Sequence, residues 1–378
     1  MAINPIYPLH IAKFVVPPYA GIEKHVDNLA RELMPEIEPT VLAGNLLRHG
    51  DYDKPYKLYT VKSYAQVDAV YVTPGVVTKS KSLLSSGECN LLHAHCPNPW
   101  ADFAALNCRD IPVVVTWHSD IVRQKWLMTW YRKVQLKLIE RADKIIITTP
   151  NFLRSSEQLT VPNVENKIEY VPLGTNVSRV GMGDADQNLS AQLRQFASGR
   201  RLLLTVGRHV AYKGYENLIK ALSRSPKNTC LVMVGYGPLT RSYRRLIVAM
   251  GLEGKVLMLP VLTDAQLLAA YQACDFFVLP SISKAEAFGL ASAEAMACGK
   301  PTIVCRLGNG VDYLNRHMET SICVTPGDVD ELTNAITTLS NDDSLCQYLG
   351  VNARQWVRTE FNMAKTKQKM IQIYQKLV

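Results

Sequence analysis

Short runs of consecutive apolar residues recur along the chain and predict the strands of a parallel sheet. The apolar residues in each run are continuous rather than alternating with polar ones, which is typical of strands covered on both faces. On this basis we predict strands over residues 113–116, 144–148, 201–206, 230–234, 255–259, 276–279 and 301–304. Segments with helical spacing of apolar residues lie between them and predict helices over residues 216–222, 240–250, 264–273 and 329–339. Strands that alternate with helices indicate doubly wound α/β domains.

A polar stretch over residues 178–199 separates two sets of alternating strands and helices. We interpret it as a linker, together with the lead-in to the second domain, between an N-terminal domain over residues 1–177 and a C-terminal domain over residues 200–360. Residues 361–378 are expected to form a helix that packs back on the N-terminal domain. The predicted fold class is α/β, with two Rossmann-like, doubly wound parallel-sheet domains that face a central cleft. Such sheets bind ligands at the carboxyl ends of their strands, so the loops after the strands are candidate sites.

Length and composition are those of a soluble protein with two domains. The chain has 378 residues, of which 47% are hydrophobic and 20% charged, and one ordinary core does not accommodate a chain of this length. No apolar run reaches the ~20 residues of a membrane-spanning helix, and we expect no secretory signal. The nine cysteines are scattered without a C-x-x-C pair. We therefore expect neither a zinc site nor disulfides, but reduced cysteines in a cytoplasmic protein.

The formal net charge of +9 indicates an anionic partner, such as a nucleotide, a phospholipid or a nucleic acid. Between residues 121 and 138 five cations occur without any acid, interleaved with Trp126 and Trp130; the cations are Arg123, Lys125, Arg132, Lys133 and Lys137. A basic, aromatic-rich helix of this kind can lie on an anionic membrane surface. The alternative is a surface helix whose aromatic residues pack inward, and the sequence favours neither interpretation.

Two glutamates, Glu286 and Glu294, flank a run of small and apolar residues in which a helix is expected to begin near Gly289. Glu286 then lies on the preceding loop, and Glu294 lies about one and a half turns inside the helix. The first turn of a helix offers free N–H groups to a phosphate, and carboxylates accept hydrogen bonds from sugar hydroxyls. The alternative is a buried, alanine-rich helix with two solvated glutamates, which is the more common origin of an isolated pair at this spacing.

Further candidate residues follow the predicted strands. After one strand, Gly207 permits a close backbone approach, and Arg208 and Lys213 place two cations beside the loop. Paired cations suit a diphosphate that gains negative charge as a leaving group, although two solvated surface charges would give the same pattern. After another strand, His118 can hydrogen-bond a substrate hydroxyl or move a proton. Gly21 is predicted to begin a helix, and the loop at this position can admit a phosphate.

Five segments, in order along nearly the whole chain, resemble the family 4 retaining glycosyltransferases of the GT-B fold. They are residues 17–25, 116–120, 171–174, 207–214 and 286–301. The resemblance implies that a sugar is transferred from a nucleotide donor with retention of its anomeric configuration. It also implies that no metal and no cofactor other than the nucleotide sugar is required, since Arg208 and Lys213 take the place of a metal at the diphosphate.

The resemblance also assigns roles to single residues. Glu286 would hold hydroxyls of the donor sugar, Glu294 would hold the ribose, and His118 would line the catalytic centre. The implied catalytic residues are His118, Glu286, Arg208 and Lys213. The implied donor-binding residues, in part through their backbone groups, are Gly21, Gly207, Arg208, Lys213, Phe288, Gly289, Leu290 and Glu294. The family often has two glycines where this chain has Ala20 and Gly21, so the donor contact in that loop is assigned to Gly21.

The resemblance favours particular substrates. Residues 117–125 and 307–317 are similar to members that act in bacterial surface-polysaccharide assembly, several of them mannosyl- or rhamnosyltransferases. We therefore expect GDP-mannose as the donor. We expect a lipid-linked saccharide of lipopolysaccharide or O-antigen synthesis as the acceptor, and peripheral association with the inner face of the cytoplasmic membrane. The base is expected near residues 259–263, where no motif separates uracil from guanine.

Three other interpretations stay open. The donor could be a UDP-sugar. A nucleotide-sugar epimerase of the GT-B fold would consume the donor without any acceptor. A nucleic-acid-binding protein would use the basic charge, but the sequence has no recognisable motif for this, so we expect no nucleic-acid partner.

Overall fold

The structure, a computed structural model, describes residues 5–14, 21–45, 54–67, 70–121, 125–174 and 184–378, with side chains omitted at some positions beside the gaps. The chain divides into two compact units. The first domain comprises Met1–Gly174 together with Met363–Val378, and the second domain comprises Thr175–Asn362. Each contains one large parallel sheet with helices, so the predicted α/β class is confirmed.

The first domain is built on a seven-stranded parallel sheet with the strand order β3-β2-β1-β6-β7-β8-β9. A short antiparallel pair, β4 and β5, lies outside this sheet. The strands are β1 Pro8–Ile11, β2 Thr40–Asn45, β3 Lys57–Lys62, β4 Gln66–Val67, β5 Val70–Tyr71, β6 Leu91–Cys96, β7 Val113–Trp117, β8 Lys144–Ile147 and β9 Ile168–Tyr170. The helices are α1 Gly21–Leu33, α2 Gly75–Ser85, α3 Pro99–Asn107, α4 Lys125–Arg141, α5 Phe152–Ser155 and, at the end of the chain, α14 Met363–Gln375.

Alternate residues of the central strands point to opposite faces of this sheet. On one face Leu92 and Val115 belong to an apolar cluster that also contains residues of α2, α3 and α4. On the other face Leu91 and Val114 pack with residues of α1 and α14. The helix α14 is fixed there by hydrogen bonds to backbone carbonyls, because Thr366 Oγ1 donates to Pro172 at 2.8 Å and Lys369 Nζ donates to Tyr170 at 3.1 Å.

The second domain has a six-stranded parallel sheet with the order β12-β11-β10-β13-β14-β15. Its strands are β10 Arg201–Val206, β11 Thr229–Val234, β12 Val256–Leu259, β13 Phe276–Leu279, β14 Thr302–Cys305 and β15 Ser321–Val324. Its helices are α6 Gln187–Ala197, α7 Tyr215–Arg224, α8 Thr240–Ala249, α9 Asp264–Ala273, α10 Leu290–Ala297, α11 Gly310–Leu314, α12 Val329–Asn341 and α13 Asp343–Glu360. The seven strands predicted above are all present, with their ends displaced by one residue at most.

Part of the segment predicted as a linker is an element of the second domain. Residues 178–183 lie outside the described part of the chain, but Gln187–Ala197 forms a helix. Asp186 caps this helix by accepting a hydrogen bond from the Leu189 amide at 2.9 Å, and Leu189 and Leu193 belong to the core of the domain. The segment is polar on average, but its few apolar residues have the i, i+4 spacing of an amphipathic helix.

All nine cysteines are free, as expected from their scattered positions, and seven of them are buried. Among the described residues, no helix combines the length and the apolarity needed to span a bilayer.

Candidate functional site

The loop after β10 in the second domain positions Lys213 at the carboxyl edge of the sheet. Gly207 begins this loop with a φ of +152°, and a Cβ atom at this position would lie 2.7 Å from the Tyr215 hydroxyl and 3.3 Å from Lys213 Nζ. A side chain on residue 207 would therefore clash with the Tyr215 hydroxyl and crowd the lysine. A short 3₁₀ turn, Ala211–Lys213, then leads into α7. The turn buries the stem of Lys213 and holds its ammonium group near Gly207.

Lys213 forms an ion pair with Glu286, which lies on the loop after the neighbouring strand β13. Lys213 Nζ lies 2.6 Å from Glu286 Oε2, and each side chain is 11% exposed. The Ser281 hydroxyl donates a second hydrogen bond to the same carboxylate oxygen at 3.0 Å. Burial is the largest single influence and lowers the pKa of Lys213, but the charge and hydrogen bond of Glu286 together with the neighbouring Tyr215 and Tyr212 raise that pKa by more, so the net shift is upward. The lysine is therefore held as a cation in a site that excludes most water.

The helix α10 begins directly after Gly289, which has a φ of +83° in the left-handed region. The helix thus begins where the sequence predicted it, with Glu286 on the preceding loop. Glu294 lies inside the helix, is 8% exposed, and accepts a hydrogen bond from the Tyr271 hydroxyl at 2.8 Å. The loop is tied down by Asn309 Nδ2, which donates to the Glu286 carbonyl at 2.7 Å. Both glutamates are buried and partnered, so the alternative of two solvated glutamates is wrong.

The remaining predicted residues of this domain differ in their accessibility. Arg208 is exposed, and among the described residues no hydrogen bond or ion pair holds its side chain, so it is not joined to the Lys213–Glu286 pair. Phe288 is 4% exposed, and its ring packs edge-on against Phe361 with centroids 5.2 Å apart. Its side chain therefore belongs to the core, and only its backbone is a candidate for ligand contact. Leu290 is the first residue of α10, where helix N–H groups lack partners within the helix.

In the first domain, His118 follows β7 at the carboxyl edge of the sheet and is 6% exposed. Its amide donates to the Cys96 carbonyl at 3.0 Å, and its Nε2 lies 3.1 Å from His95 Nδ1. Gly21 is the first residue of α1 and is exposed. The preceding loop, including Ala20, lies outside the described residues.

His118, which the sequence indicated, belongs to a cluster of five buried histidines, which the sequence analysis missed. The other four are His10 on β1, His25 on α1, and His93 and His95 on β6. His93 and His95 alternate with apolar residues and so share one face of the sheet, while His10 is the register partner of His93 on the adjacent strand. An H-x-H pattern flanked by apolar residues is the signal in the sequence that could have revealed the cluster.

Burial keeps the cluster uncharged at neutral pH. It lowers the pKa of His10 to about 3 and that of His25 to about 4. It also lowers the pKa values of His93, His95 and His118 well below their ordinary value. The candidate ligand atoms of His10, His93 and His95 lie within 4.8 Å of one another, which makes these residues a candidate metal site.

The basic segment predicted to lie on a membrane forms α4, and its two sides differ. Arg123 lies outside the described residues, and the side chains of Lys125 and Trp126 are not described. On the inner side the Tyr131 hydroxyl donates to Asp102, and Arg132 Nη1 donates to the Gln158 carbonyl at 2.5 Å. On the outer side Trp130 is 64% exposed and Leu136 is 42% exposed, beside two exposed lysines, Lys133 and Lys137. Tyr131 therefore packs inward, and Trp130 does not.

Comparison with known proteins adds to this geometry. Residues 19–179 match the family described as Glycosyltransferase Family 4, and residues 187–356 match the family described as Glycosyl transferases group 1. The O-antigen chain mannosyltransferase C of Escherichia coli is 32% identical over 267 residues, which are 70% of this chain and 70% of that protein. The D-rhamnosyltransferase WbpZ of Pseudomonas aeruginosa is 28% identical over 342 residues, which are 90% of this chain and 84% of that protein.

The fold also has solved counterparts. Anabaena HepE, crystallised in complex with UDP-glucose, is similar with a TM-score of 0.80 and 20% identity, over 98% of this chain and 100% of that one. Neither the family matches nor these relatives give any support to an epimerase or to a nucleic-acid-binding protein. The two matched families and the identity to the Escherichia coli enzyme lead to one conclusion: this chain is a family 4 glycosyltransferase of the GT-B fold.

Proposed function

We propose that this glycosyltransferase moves mannose from GDP-mannose, with retention of anomeric configuration, to a lipid-linked saccharide in lipopolysaccharide or O-antigen synthesis. The names of the Escherichia coli and Pseudomonas aeruginosa relatives support a hexose of the mannose or rhamnose series. The observation that carries the proposal is the buried Lys213–Glu286 pair at 2.6 Å, beside the helix that holds Glu294. The Lys213 cation suits the diphosphate of a nucleotide sugar, and the adjacent Glu286 carboxylate suits the hydroxyls of its sugar.

In this proposal Lys213 meets the diphosphate and Glu286 meets the hydroxyls of the transferred sugar. The β-phosphate gains charge as the bond to the sugar breaks, and a fixed cation in a dry site stabilises that charge more than it stabilises the ground state. Arg208 is exposed, and we assign it the outer side of the diphosphate. Because Lys213 and Arg208 supply the positive charges that a metal ion would otherwise bring to the diphosphate, the reaction should proceed without a divalent metal. Activity in excess EDTA is the corresponding test.

We assign the ribose to Glu294. Its hydrogen bond from the Tyr271 hydroxyl orients the carboxylate, and a carboxylate fixed in this way can accept hydrogen bonds from vicinal hydroxyls. Backbone N–H groups at the start of α10, from Gly289 to Leu290, are suited to phosphate. In the first domain we assign His118 to the catalytic centre, and Gly21 to a backbone contact with the donor.

The competing donor is a UDP-sugar, which the UDP-glucose complex of the similar Anabaena structure favours. A thermal-shift panel of GDP-mannose, UDP-glucose, UDP-N-acetylglucosamine and dTDP-rhamnose separates the two, since a ligand that binds only the folded protein raises its melting temperature. We expect the largest shift with GDP-mannose. A shift confined to UDP-sugars would contradict the proposed base, and an inverted anomeric configuration in the product, read by proton NMR, would contradict retention.

We further propose that the outer side of α4 contacts an anionic membrane where the lipid-linked acceptor is found. Trp130 and Leu136 are apolar and exposed beside Lys133 and Lys137. Aromatic side chains anchor at headgroup depth while lysines meet anionic headgroups. This arrangement supports reversible, peripheral binding to the cytoplasmic face.

A further inference from the structure

A continuous hydrogen-bonded chain runs from the C-terminal helix to His118 through the buried face of the first-domain sheet. The Tyr374 hydroxyl lies 3.4 Å from His10 Nε2. His10 Nδ1 lies 3.1 Å from His95 Nε2, and His95 Nδ1 lies 3.1 Å from His118 Nε2. A side branch joins the Tyr374 hydroxyl to His93 Nδ1 at 2.6 Å, and His93 Nε2 to Thr116 Oγ1 at 2.7 Å.

The protons in this chain are interdependent. A neutral imidazole has one N–H group and one lone pair, so a ring that donates on one side must accept on the other. The rings of His10 and His95 each use both nitrogens within the chain. Only two fully neutral arrangements therefore fill every hydrogen bond: one with all these protons on Nε2 and one with all of them on Nδ1.

The contacts of Tyr374 select between the two arrangements. The Tyr374 hydroxyl lies 2.6 Å from His93 Nδ1 and 3.4 Å from His10 Nε2, and we place the hydroxyl proton on the shorter contact, whose length is that of a bond from an O–H donor. Tyr374 therefore donates to His93, and its oxygen accepts from His10 Nε2–H. His10 Nδ1 then accepts from His95 Nε2–H, and His95 Nδ1 accepts from His118 Nε2–H.

We propose that Tyr374, His10 and His95 are positioning residues that hold His118 in the tautomer with its proton on Nε2, so that its Nδ1 keeps a lone pair. The inference rests on the proposed function for its consequence, because there His118 contacts the substrate. A fixed lone pair makes His118 an acceptor for a sugar hydroxyl and not a donor to it. No net proton transfer is involved, since every ring in the chain stays neutral.

The same contacts bear on the candidate metal site. Each ring nitrogen of His10, His93 and His95 already has a hydrogen-bond partner, so a metal ion would have to break the chain. Among the residues that the structure describes, other groups close to His118 are the His25 ring, edge-on with centroids 5.3 Å apart, and the Lys13 ammonium, whose charge adds to the effect of burial in lowering the pKa of His118.

The test is nitrogen-15 NMR of the full-length protein labelled at histidine, because the ring shifts distinguish the two neutral tautomers. We expect His118, His95 and His10 to be Nε2–H at pH 7.5. In Tyr374→Phe the His10 N–H loses its acceptor, so we expect a mixture of tautomers at His118. We also expect kcat to fall about tenfold, the scale for losing an outer-shell partner, with an unchanged KM for the donor. Tyr56→Phe is the matched control, since it removes another buried hydroxyl of this domain, which bonds Asp27, and it should leave the tautomers unchanged.

A second pair of variants addresses loss of folding. His95→Asn keeps an acceptor near the Nδ1 position and should preserve the His118 tautomer, whereas His95→Leu should not. Variants are compared only where their melting curves show that both are folded. The proposal is overturned if wild-type His118 is Nδ1–H, if the tautomer is unchanged in both Tyr374→Phe and His95→Leu, or if equimolar Zn²⁺ shifts the His10, His93 and His95 rings. If the tautomers behave as expected but no donor is turned over, the chain stands and the proposed function fails.

Discussion

The buried polar groups at the candidate sites of the two domains differ in charge, although the first domain also contains a buried ion pair, Lys54–Asp27 at 2.8 Å. In the first domain five histidines are buried and neutral, because burial depresses their pKa values. In the second domain Lys213 and Glu286 are buried as an ion pair. A network of neutral groups determines which atom donates and which accepts in each hydrogen bond. A buried ion pair instead produces a local electrostatic field that can stabilise charge on a ligand. The contrast corresponds to the two tasks proposed above, the holding of a tautomer and the stabilisation of a leaving group, and the predictions below test each of them.

The largest effect is expected from Lys213→Ala. Losing a preorganised cation at the leaving diphosphate should lower kcat by about 10²-fold or more, measured as initial rates at saturating donor. Lys220→Ala is the matched control, because Lys220 pairs with Glu216 at the same 2.6 Å but both side chains are largely exposed. An exposed pair contributes little, so this variant should keep its rate. An equal loss of kcat in the two variants would contradict a specific role of the buried Lys213–Glu286 pair in catalysis.

A change of pH should separate the domains. The folded-state pKa values of the five histidines lie below the ordinary 6.5. Their contribution to stability is thus complete above about pH 6.5 and is lost as the pH falls toward the folded values, at up to about 1.4 kcal/mol per pH unit for each histidine. Burial raises the pKa values of Asp102 and Glu23, so these two groups favour the folded state in acid. The five histidines outnumber them, and the first domain should therefore lose stability as the pH falls. Hydrogen exchange read by mass spectrometry should show the first domain opening first in acid.

The buried ion pair of the second domain should respond to alkali. The pKa of Lys213 is raised above its ordinary 10.5, so its contribution is complete below that pH and is lost as the pH rises through the folded value. Exchange in peptides around residues 207–214 and 281–286 should increase above about pH 10.5. First loss of the second domain in acid, or unchanged exchange around Lys213 in alkali, would contradict the comparison.

A smaller effect is expected at the surface of α4. Replacing Lys133 and Lys137 with serine should weaken partitioning onto phosphatidylglycerol vesicles by about 30-fold, at about 1 kcal/mol for each cation. The same replacement of Arg241 and Arg245 is the control, since it removes two exposed cations from the helix α8 of the second domain. Donor binding should be unchanged in both double variants. If the Lys133/Lys137 variant sediments with vesicles at the wild-type level, these lysines do not bind the membrane, and α4 is to be interpreted as a solvated surface helix.

The sequence predicted five of the six parallel strands of the second domain, because each of the five is an apolar run, as in Phe276–Leu279, but it missed β15. It did not predict β6 of the first domain, in which two histidines interrupt the apolar residues. Two residues of the proposed donor site could also be identified, since Glu286 precedes a recognisable helix start and Glu294 lies inside that helix. Their partners could not: Lys213 meets Glu286 only because β10 and β13 are neighbours in the sheet, and Tyr271 reaches Glu294 from a helix elsewhere in the chain. Such pairings depend on strand order, which local patterns do not contain.

The most direct test of the central claim is calorimetric titration of GDP and GDP-mannose into three proteins: wild type, Glu286→Gln and Glu294→Gln. If Glu294 holds the ribose, its replacement should weaken both ligands about tenfold, the scale of one hydrogen bond to a charged group. If Glu286 holds the transferred sugar, its replacement should weaken GDP-mannose by a similar factor and leave GDP binding nearly unchanged. Equal losses of GDP affinity in both variants, or no binding of either ligand to the wild type, would contradict the account.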